Sequence, residues 1–331
     1  MQVELNKAIV HVLDTAVDAP VLSQCFLPLT DEAAQYLAGH AAKCFASEEA
    51  RACVLTEDAP VSPLLWNIED TFVEKSGTLA TDWFAILHEN PSIPAGDVAF
   101  LLLNMDGAEY FAALKLNYKS GYVHYFANEN GASCNEIVRQ NAVLPGSGGK
   151  ADEAFFINLQ TKEVRLIEKK YEIDGHKSAY LATRLLGCKT GLSPKEKLSV
   201  IKAAAGEVNQ KFYGNTGVDE QDLAAAVCAE YYTRDEKESV APVQAICDKL
   251  YSDMPHAREA FTQALAAHDI ALREPLPVSG AAVRRLEKQS IRSGDGVEIK
   301  VPVSLYKDAA ALEFIRNADG TMSLLIKNIL M

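Results

Sequence analysis

Between residues 30 and 45 apolar side chains return every three or four positions, at Ala33, Leu37, Ala41, Cys44 and Phe45, and Thr30-Asp31-Glu32 stands where a helix would be capped. The spacing predicts an amphipathic helix with His40 at the edge of its buried face. The stretches around Trp66 and Trp83 are compatible with further helices, although SPLLWNIEDTFVEK is less periodic. From residue 98 the period changes. VAFLLLNM is a buried apolar run, Asp106-Gly107 is a hairpin signal, and EYFAALKLNY follows as its partner. GYVHYFA, EIVRQNAVL, AFFINL and EVRLIEKKYEI continue the series, each bounded by Gly, Asn, Pro or Lys-rich turns, and predict an antiparallel sheet. Tyr110, Tyr118, Tyr122, Tyr125 and Phe126 fall in these strands. Aromatics are favoured in strands, so the expectation is core packing ahead of a base-stacking platform.

Residues 176 to 271 read as helical. HKSAYLATRLL is amphipathic, and Gly187 is placed to end it as a left-handed cap. Ser193-Pro194-Lys195-Glu196 is a second start, with Ser as cap, Pro at the first helical position and Glu completing a capping box. Leu198, Ile201, Ala205, Val208 and Phe212 then mark a buried face, and further helices are expected at 219 to 233, 240 to 251 and 255 to 269. The tail returns to strands. VEIKVPVSLY alternates with Ile299, Val301, Val303 and Leu305 on one side, and LEFIRNADGTMSLLIKN is a hairpin around Asp319-Gly320. The fold class that follows is α+β: an N-terminal domain over 1 to 175 with an antiparallel sheet and helices, then a helical domain over 176 to 331 with a C-terminal β-hairpin.

Composition adds a soluble chain large enough for about two domains, with 331 residues and 48% hydrophobic. No run of eighteen or more uncharged apolar residues occurs, and MQVELNKAIVHVLD lacks the features of an export signal, so no membrane role is expected. The seven cysteines are odd in number, widely spaced and mostly in apolar settings, the usage of buried thiols in a reducing cytoplasm. No CxxC or HExxH occurs, and neither a metal nor a cofactor is expected. PGSGGK at 145 to 150 fails as a phosphate loop, because the motif's first Gly and its hydroxyl position hold Leu144 and Ala151.

Charge changes the picture. Residues 1 to 160 hold 8 Lys and Arg against 21 Asp and Glu, a net of -13, whereas residues 161 to 211 hold 11 against 6, a net of +5. Residues 212 to 280 return to -7, with 5 against 12, and residues 281 to 331 reach +2, with 8 against 6. The basic island inside an acidic chain has the form of a phosphate-binding surface, since Lys and Arg gain affinity by releasing condensed counterions. A solvated helix face is the competing reading. The candidate DNA contacts are Lys169, Lys170, Lys177, Arg184, Lys189, Lys195, Lys197 and Lys202, joined by Arg284 and Arg285 from the basic tail segment. RLLGCKTGLSPKEK gathers four of them at a helix-turn-helix junction, where the helix start at Ser193 also offers free amides to an anion. Asp295, Glu298 and Lys300 form a weaker set that a metal-dependent nuclease would use.

GVEIKVPVSLYKDAAALEFIRNADGTMSLLIKNI resembles the C-terminal signature of the bacterial nucleoid-associated proteins of the NdpA/YejK type. RLLGCKTGLSPKEK is similar to that family's helical junction, and FFINLQTKEVRLI to the strands before it. The resemblance spans most of the chain and is most specific in the tail. It implies a cytoplasmic protein of the nucleoid that binds DNA without strict sequence preference, and it supplies no catalytic set. The expected function is non-enzymatic DNA binding, with phosphates contacted through a basic helical face without strict sequence specificity, and with DNA, other nucleoid proteins and a second copy of the chain as partners. The alternatives are an interaction module recruited to the nucleoid by a protein partner, with the acidic N-terminal region as its docking surface, and the nuclease.

Overall fold

The computed structural model describes residues 2–129, 132–212, 220–232, 240–292, 296–306, 308, 310–317 and 320–328. The chain divides after Ser193 into two units, Met1–Ser193 and Pro194–Met331.

In the first unit the elements run β1 (Val3–Leu13), α1 (Asp31–Phe45), β2 (Arg51–Val54), α2 (Phe72–Glu89), β3 (Gly96–Met105), β4 (Ala108–Asn117), β5 (Lys119–Glu129), β6 (Ala132–Val143), β7 (Glu153–Asn158), β8 (Glu163–Ile167), β9 (Tyr171–Ile173) and β10 (His176–Ser178). Six strands form one antiparallel sheet in the order β1-β3-β4-β7-β8-β2. Strand alternation sends Val98, Phe100, Phe111, Ala113, Phe155 and Ile157 toward α2, where Leu79, Trp83 and Leu87 cover them. It sends Ala99, Leu101, Ala112, Leu114 and Phe156 toward Leu37, Ala41 and Cys44 of α1. With a helix on each face the central strands have no solvated side, so VAFLLLNM is an unbroken apolar run. Thr30 caps α1 by accepting the Ala33 N–H at 3.3 Å. Asp106 and Gly107 take φ of 48° and 88°, the two positive values that a two-residue turn between β3 and β4 requires.

Three expectations for this unit change. MQVELNKAIVHVLD supplies the edge strand β1, which no turn signal announces. HKSAYLATRLL is not one helix: His176–Ser178 pairs with β9, and Leu181–Leu186 forms a π-helical turn. That turn belongs to the first unit, because Tyr180, Leu181, Ala182, Leu185 and Leu186 pack into the core beneath α2. Strands β5 and β6 pair only with each other, outside the main sheet. Tyr122, Tyr125 and Phe126 are therefore exposed instead of packed in a core.

His11 on β1 is buried, and its ring sits between two polar partners. The Ser23 N–H donates to Nδ1 at 3.1 Å, which leaves the proton on Nε2 to be donated to Ser76 Oγ at 3.1 Å. Burial pulls its pKa from 6.5 down to about 4. The folded value is the depressed one, so this ring's contribution is complete above pH 6.5 and is lost as pH falls toward 4, because the unfolded chain binds a proton the folded chain refuses. The loss is on the order of 3 kcal/mol. Denaturant titrations of His11→Gln across this window should show a flatter stability profile than wild type, and parallel profiles would rule His11 out as the titrating group.

The second unit contains α3 (Pro194–Phe212), α4 (Glu220–Tyr232), β11 (Val240–Pro242), α5 (Val243–Tyr251), α6 (Pro255–Ala266), β12 (Pro275–Pro277), α7 (Gly280–Leu286), β13 (Lys288–Arg292), β14 (Glu298–Pro302), α8 (Val303–Tyr306), β15 (Leu312–Arg316) and β16 (Met322–Ile326). Helix α3 starts at Pro194, and it buries Ile201, Ala204, Ala205 and Val208. Phe212, expected on the buried face, is the last residue of the helix and is exposed. The buried side chains of α5 and α6 are Val243, Ile246, Cys247, Leu250 and Tyr251, and Ala257, Phe261 and Leu265. The strand expected over VEIKVPVSLY stops at Pro302, where its partner β13 also runs out at Lys288, and Val303–Tyr306 turns into a short helix. β15 and β16 form the expected hairpin from Leu312↔Ile326 to Arg316↔Met322, with Asp319 of its turn outside the described residues.

Candidate nucleic-acid interface

The ten basic candidates fall on both sides of the division. Lys169, Lys170, Lys177, Arg184 and Lys189 lie in the first unit, and Lys195, Lys197, Lys202, Arg284 and Arg285 in the second. In the first unit the β9–β10 hairpin presents Lys177 directly across from Glu172, and Lys170 immediately precedes β9. Asp174 and Gly175 close this hairpin with φ of 52° and 75°. Asp174 Oδ2 accepts from Arg184 Nη2 at 2.5 Å, which joins the hairpin to the π-helical turn. Gly187 ends that turn in the left-handed region at φ 70°, as its position predicts. The Gly191 N–H then donates to Ala52 O of β2 at 3.3 Å, so the segment bearing Lys189 is tied to the edge of the sheet.

Lys170, Lys177 and Lys189 are exposed and have no ion pair among the described residues. Lys169 differs. Its Nζ lies 2.5 Å from Asp152 Oδ1, and Asp152 Oδ2 accepts from Asn117 Nδ2 at 2.9 Å. Burial alone would raise the Asp152 pKa, but Lys169, Asn117 and Lys119 outweigh it and hold the carboxyl below its ordinary value. Asn117 Oδ1 accepts in turn from Lys115 Nζ. Lys115 and Glu153 are cross-strand partners on β4 and β7, and their fully buried side chains form an ion pair at 3.1 Å. Lys115 also donates to Pro94 O at 2.8 Å, while Glu153 Oε2 accepts from Tyr180 OH at 3.0 Å and Tyr180 OH accepts from Trp83 Nε1 at 2.9 Å. Burial pushes the Lys115 ammonium down and the Glu153 carboxyl up, and each is held back by the other. This chain of polar groups anchors Lys169 to the core.

In the second unit Lys195 and Lys202 sit two turns apart on α3, Lys195 exposed and Lys202 half-buried beside the Ile201 and Ala205 stripe. Lys197 is largely covered and forms an ion pair with Glu274. Ser279 caps α7 by accepting the Ala282 N–H at 3.1 Å, and Arg284 and Arg285 are exposed in the last turn of that helix. Lys169, Arg184 and Lys197 are thus engaged with carboxylates.

A family model described as nucleoid-associated protein YejK matches residues 9–330, nearly the whole chain. The chain belongs to this nucleoid-associated family. Among curated proteins, the comparison finds no match.

In this nucleoid-associated protein, Glu298 and Lys300 project from β14 at exposed positions, and Asp295 lies outside the described residues. Among the described residues no three His, Cys, Asp or Glu side chains are placed to hold a metal ion. No helix among them is long and apolar enough to cross a membrane. Sequence reasoning missed the buried pair. Its signal was present as one Lys in FAALKLN and one Glu in ADEAFFIN, single charges inside otherwise apolar strands. Their pairing depends on β4 lying beside β7, which no local pattern encodes.

Proposed function

We propose that this protein is a non-enzymatic nucleoid component that contacts DNA phosphates through lysines of the basic island and arginines of the basic tail segment, without strict sequence preference. The observation that carries this reading is the net charge of +5 over residues 161 to 211 in a nucleoid-associated chain whose total is -13. The contacts assigned are Lys170, Lys177, Lys189, Lys195, Lys202, Arg284 and Arg285. Lys169, Arg184 and Lys197 would each first have to leave a carboxylate. Such contacts position the protein on the backbone and read no base sequence. Other nucleoid proteins and a second copy of the chain complete the partner set.

The test is binding of the full chain to a fluorescent duplex of arbitrary sequence across a salt series. Lys170→Glu/Lys177→Glu/Lys189→Glu, three changes within the first unit, should weaken affinity for every duplex alike. Three lost phosphate contacts should flatten the slope of log affinity against log salt by roughly 3. Unchanged affinity and slope would remove these lysines from the interface. The pairing of three basic candidates with carboxylates favours a second reading, recruitment by a protein partner. It predicts no duplex binding by the purified wild-type chain even at low salt, together with recovery of a nucleoid protein by gentle crosslinking in lysate.

A further inference from the structure

Strands β5 and β6 form a ribbon with an unusual surface. Each strand pairs only with the other along the register Gly121↔Gln140 to Glu129↔Ala132, and neither joins the six-stranded sheet. At about 3.4 Å per residue the eleven and twelve residues of the two strands make an arm on the order of 35 Å long. Opposed residues share a face, so Tyr122, His124 and Phe126 stand with Arg139, Ile137 and Asn135 on one side, and Val123 and Tyr125 with Val138 and Glu136 on the other. Both sides are open. Tyr122 is 72% exposed, Phe126 61%, Ile137 80% and Tyr125 58%, with Val123 and Val138 also exposed.

An isolated two-stranded hairpin in water is marginally stable, and large apolar side chains on both of its faces call for a cover. We propose that the cover is a second copy of this chain, the ribbons of two copies lying along each other in a reciprocal embrace. This gives the homodimer reading its surface. On one face Tyr122 and Phe126, at about 150 to 250 Å² each and exposed to these fractions, offer on the order of 250 Å². With Ile137 that face reaches on the order of 400 Å² per copy, and a twofold pairing of two such faces covers roughly 800 Å² in total, the size of a weak, concentration-dependent association.

Charge supports the same occupant. Two chains of net charge -13 repel each other over most of their surface, yet the ribbon carries Lys119 and Arg139 against Glu129 and Glu136 and has no net charge. The described side chains on the Tyr122, Phe126 and Ile137 face include no carboxylate, so joining two such faces desolvates no acid there. Nucleic acid fits less well, because a neutral ribbon gains little from releasing counterions and Ile137, its most exposed apolar side chain, offers no ring on which a base could stack.

Sedimentation equilibrium of the full chain tests this. Wild type should reach twice the 36.0 kDa of one chain, and Tyr122→Ser/Phe126→Ser/Ile137→Ser should weaken self-association at least about 100-fold with unchanged circular dichroism. Hydrogen exchange needs no variant: amides of 122 to 126 and 136 to 139 in wild type should gain protection as protein concentration rises. A wild type of single-chain mass at every concentration overturns both the dimer and the ribbon's role. A wild-type dimer whose ribbon amides stay unprotected, or whose folded triple variant still dimerises, overturns the ribbon alone. A monomeric wild type whose triple variant loses duplex affinity assigns the face to nucleic acid instead.

Discussion

Lys115→Met should lower the unfolding free energy by about 3 to 5 kcal/mol, the cost of leaving an uncompensated charge in a dry interior. The side chain it removes is fully buried and donates to Pro94 O and Asn117 Oδ1 as well as pairing with Glu153. Glu153 would keep only the Tyr180 hydroxyl, and its Oε1 already lacks a hydrogen-bond partner. The carboxyl, which burial pushes up even with the lysine present, would then be protonated or would drag water into the sheet. Lys115→Met/Glu153→Leu should recover most of the loss, since an apolar pair of similar volume satisfies a site between α2 and the sheet. Urea titrations decide it. A Lys115→Met midpoint equivalent to less than about 1 kcal/mol of destabilisation, the range of a surface pair, would contradict burial of the interaction. The double variant also releases Asn117, so a looser Asp152 and Lys169 should accompany it.

Gly187→Ala is the second large effect, expected at about 2 to 5 kcal/mol. Two physical terms contribute. The residue has φ 70°, where an L side chain costs about 1 to 2 kcal/mol. A Cβ there would also sit 2.2 Å from Pro60 Cδ, an overlap with a stiff ring that must be relieved by shifting backbone, at about 1 to 3 kcal/mol. Gly175→Ala is the control. It has φ 75° with nothing within 4 Å of a new Cβ, so it should show the conformational cost alone. Equal losses for the two variants, measured by thermal or urea unfolding, would refute the close approach of Pro60. Lys189 follows this turn by two residues, so Gly187→Ala should also disorder a candidate phosphate contact and weaken duplex binding.

Local rules carried the elements whose causes are local. The cap at Thr30, the turn at Asp106-Gly107, the left-handed Gly187, the helix start at Pro194 and the tail hairpin follow from side-chain geometry within a few residues, and each is where its sequence places it. The membership of Leu181–Leu186 in the first unit does not follow from such rules, because a helical period looks the same whichever core receives it. The same holds for β1, whose role as an edge strand exists only because β3 lies beside it.

The candidate interface divides along the same line. The basic island and its acidic surroundings are sums over the chain and are set by sequence alone, as is the resemblance carried by the tail. That Lys169, Arg184 and Lys197 are paired was decided by tertiary structure, because Asp152, Asp174 and Glu274 are brought to them by the fold. The exposure of Tyr122, Phe126 and Ile137 was decided there too. An apolar alternation commits a strand to a partner face, but the chain that supplies the face is chosen by long-range packing, and in this fold the six-stranded sheet closes without β5 and β6.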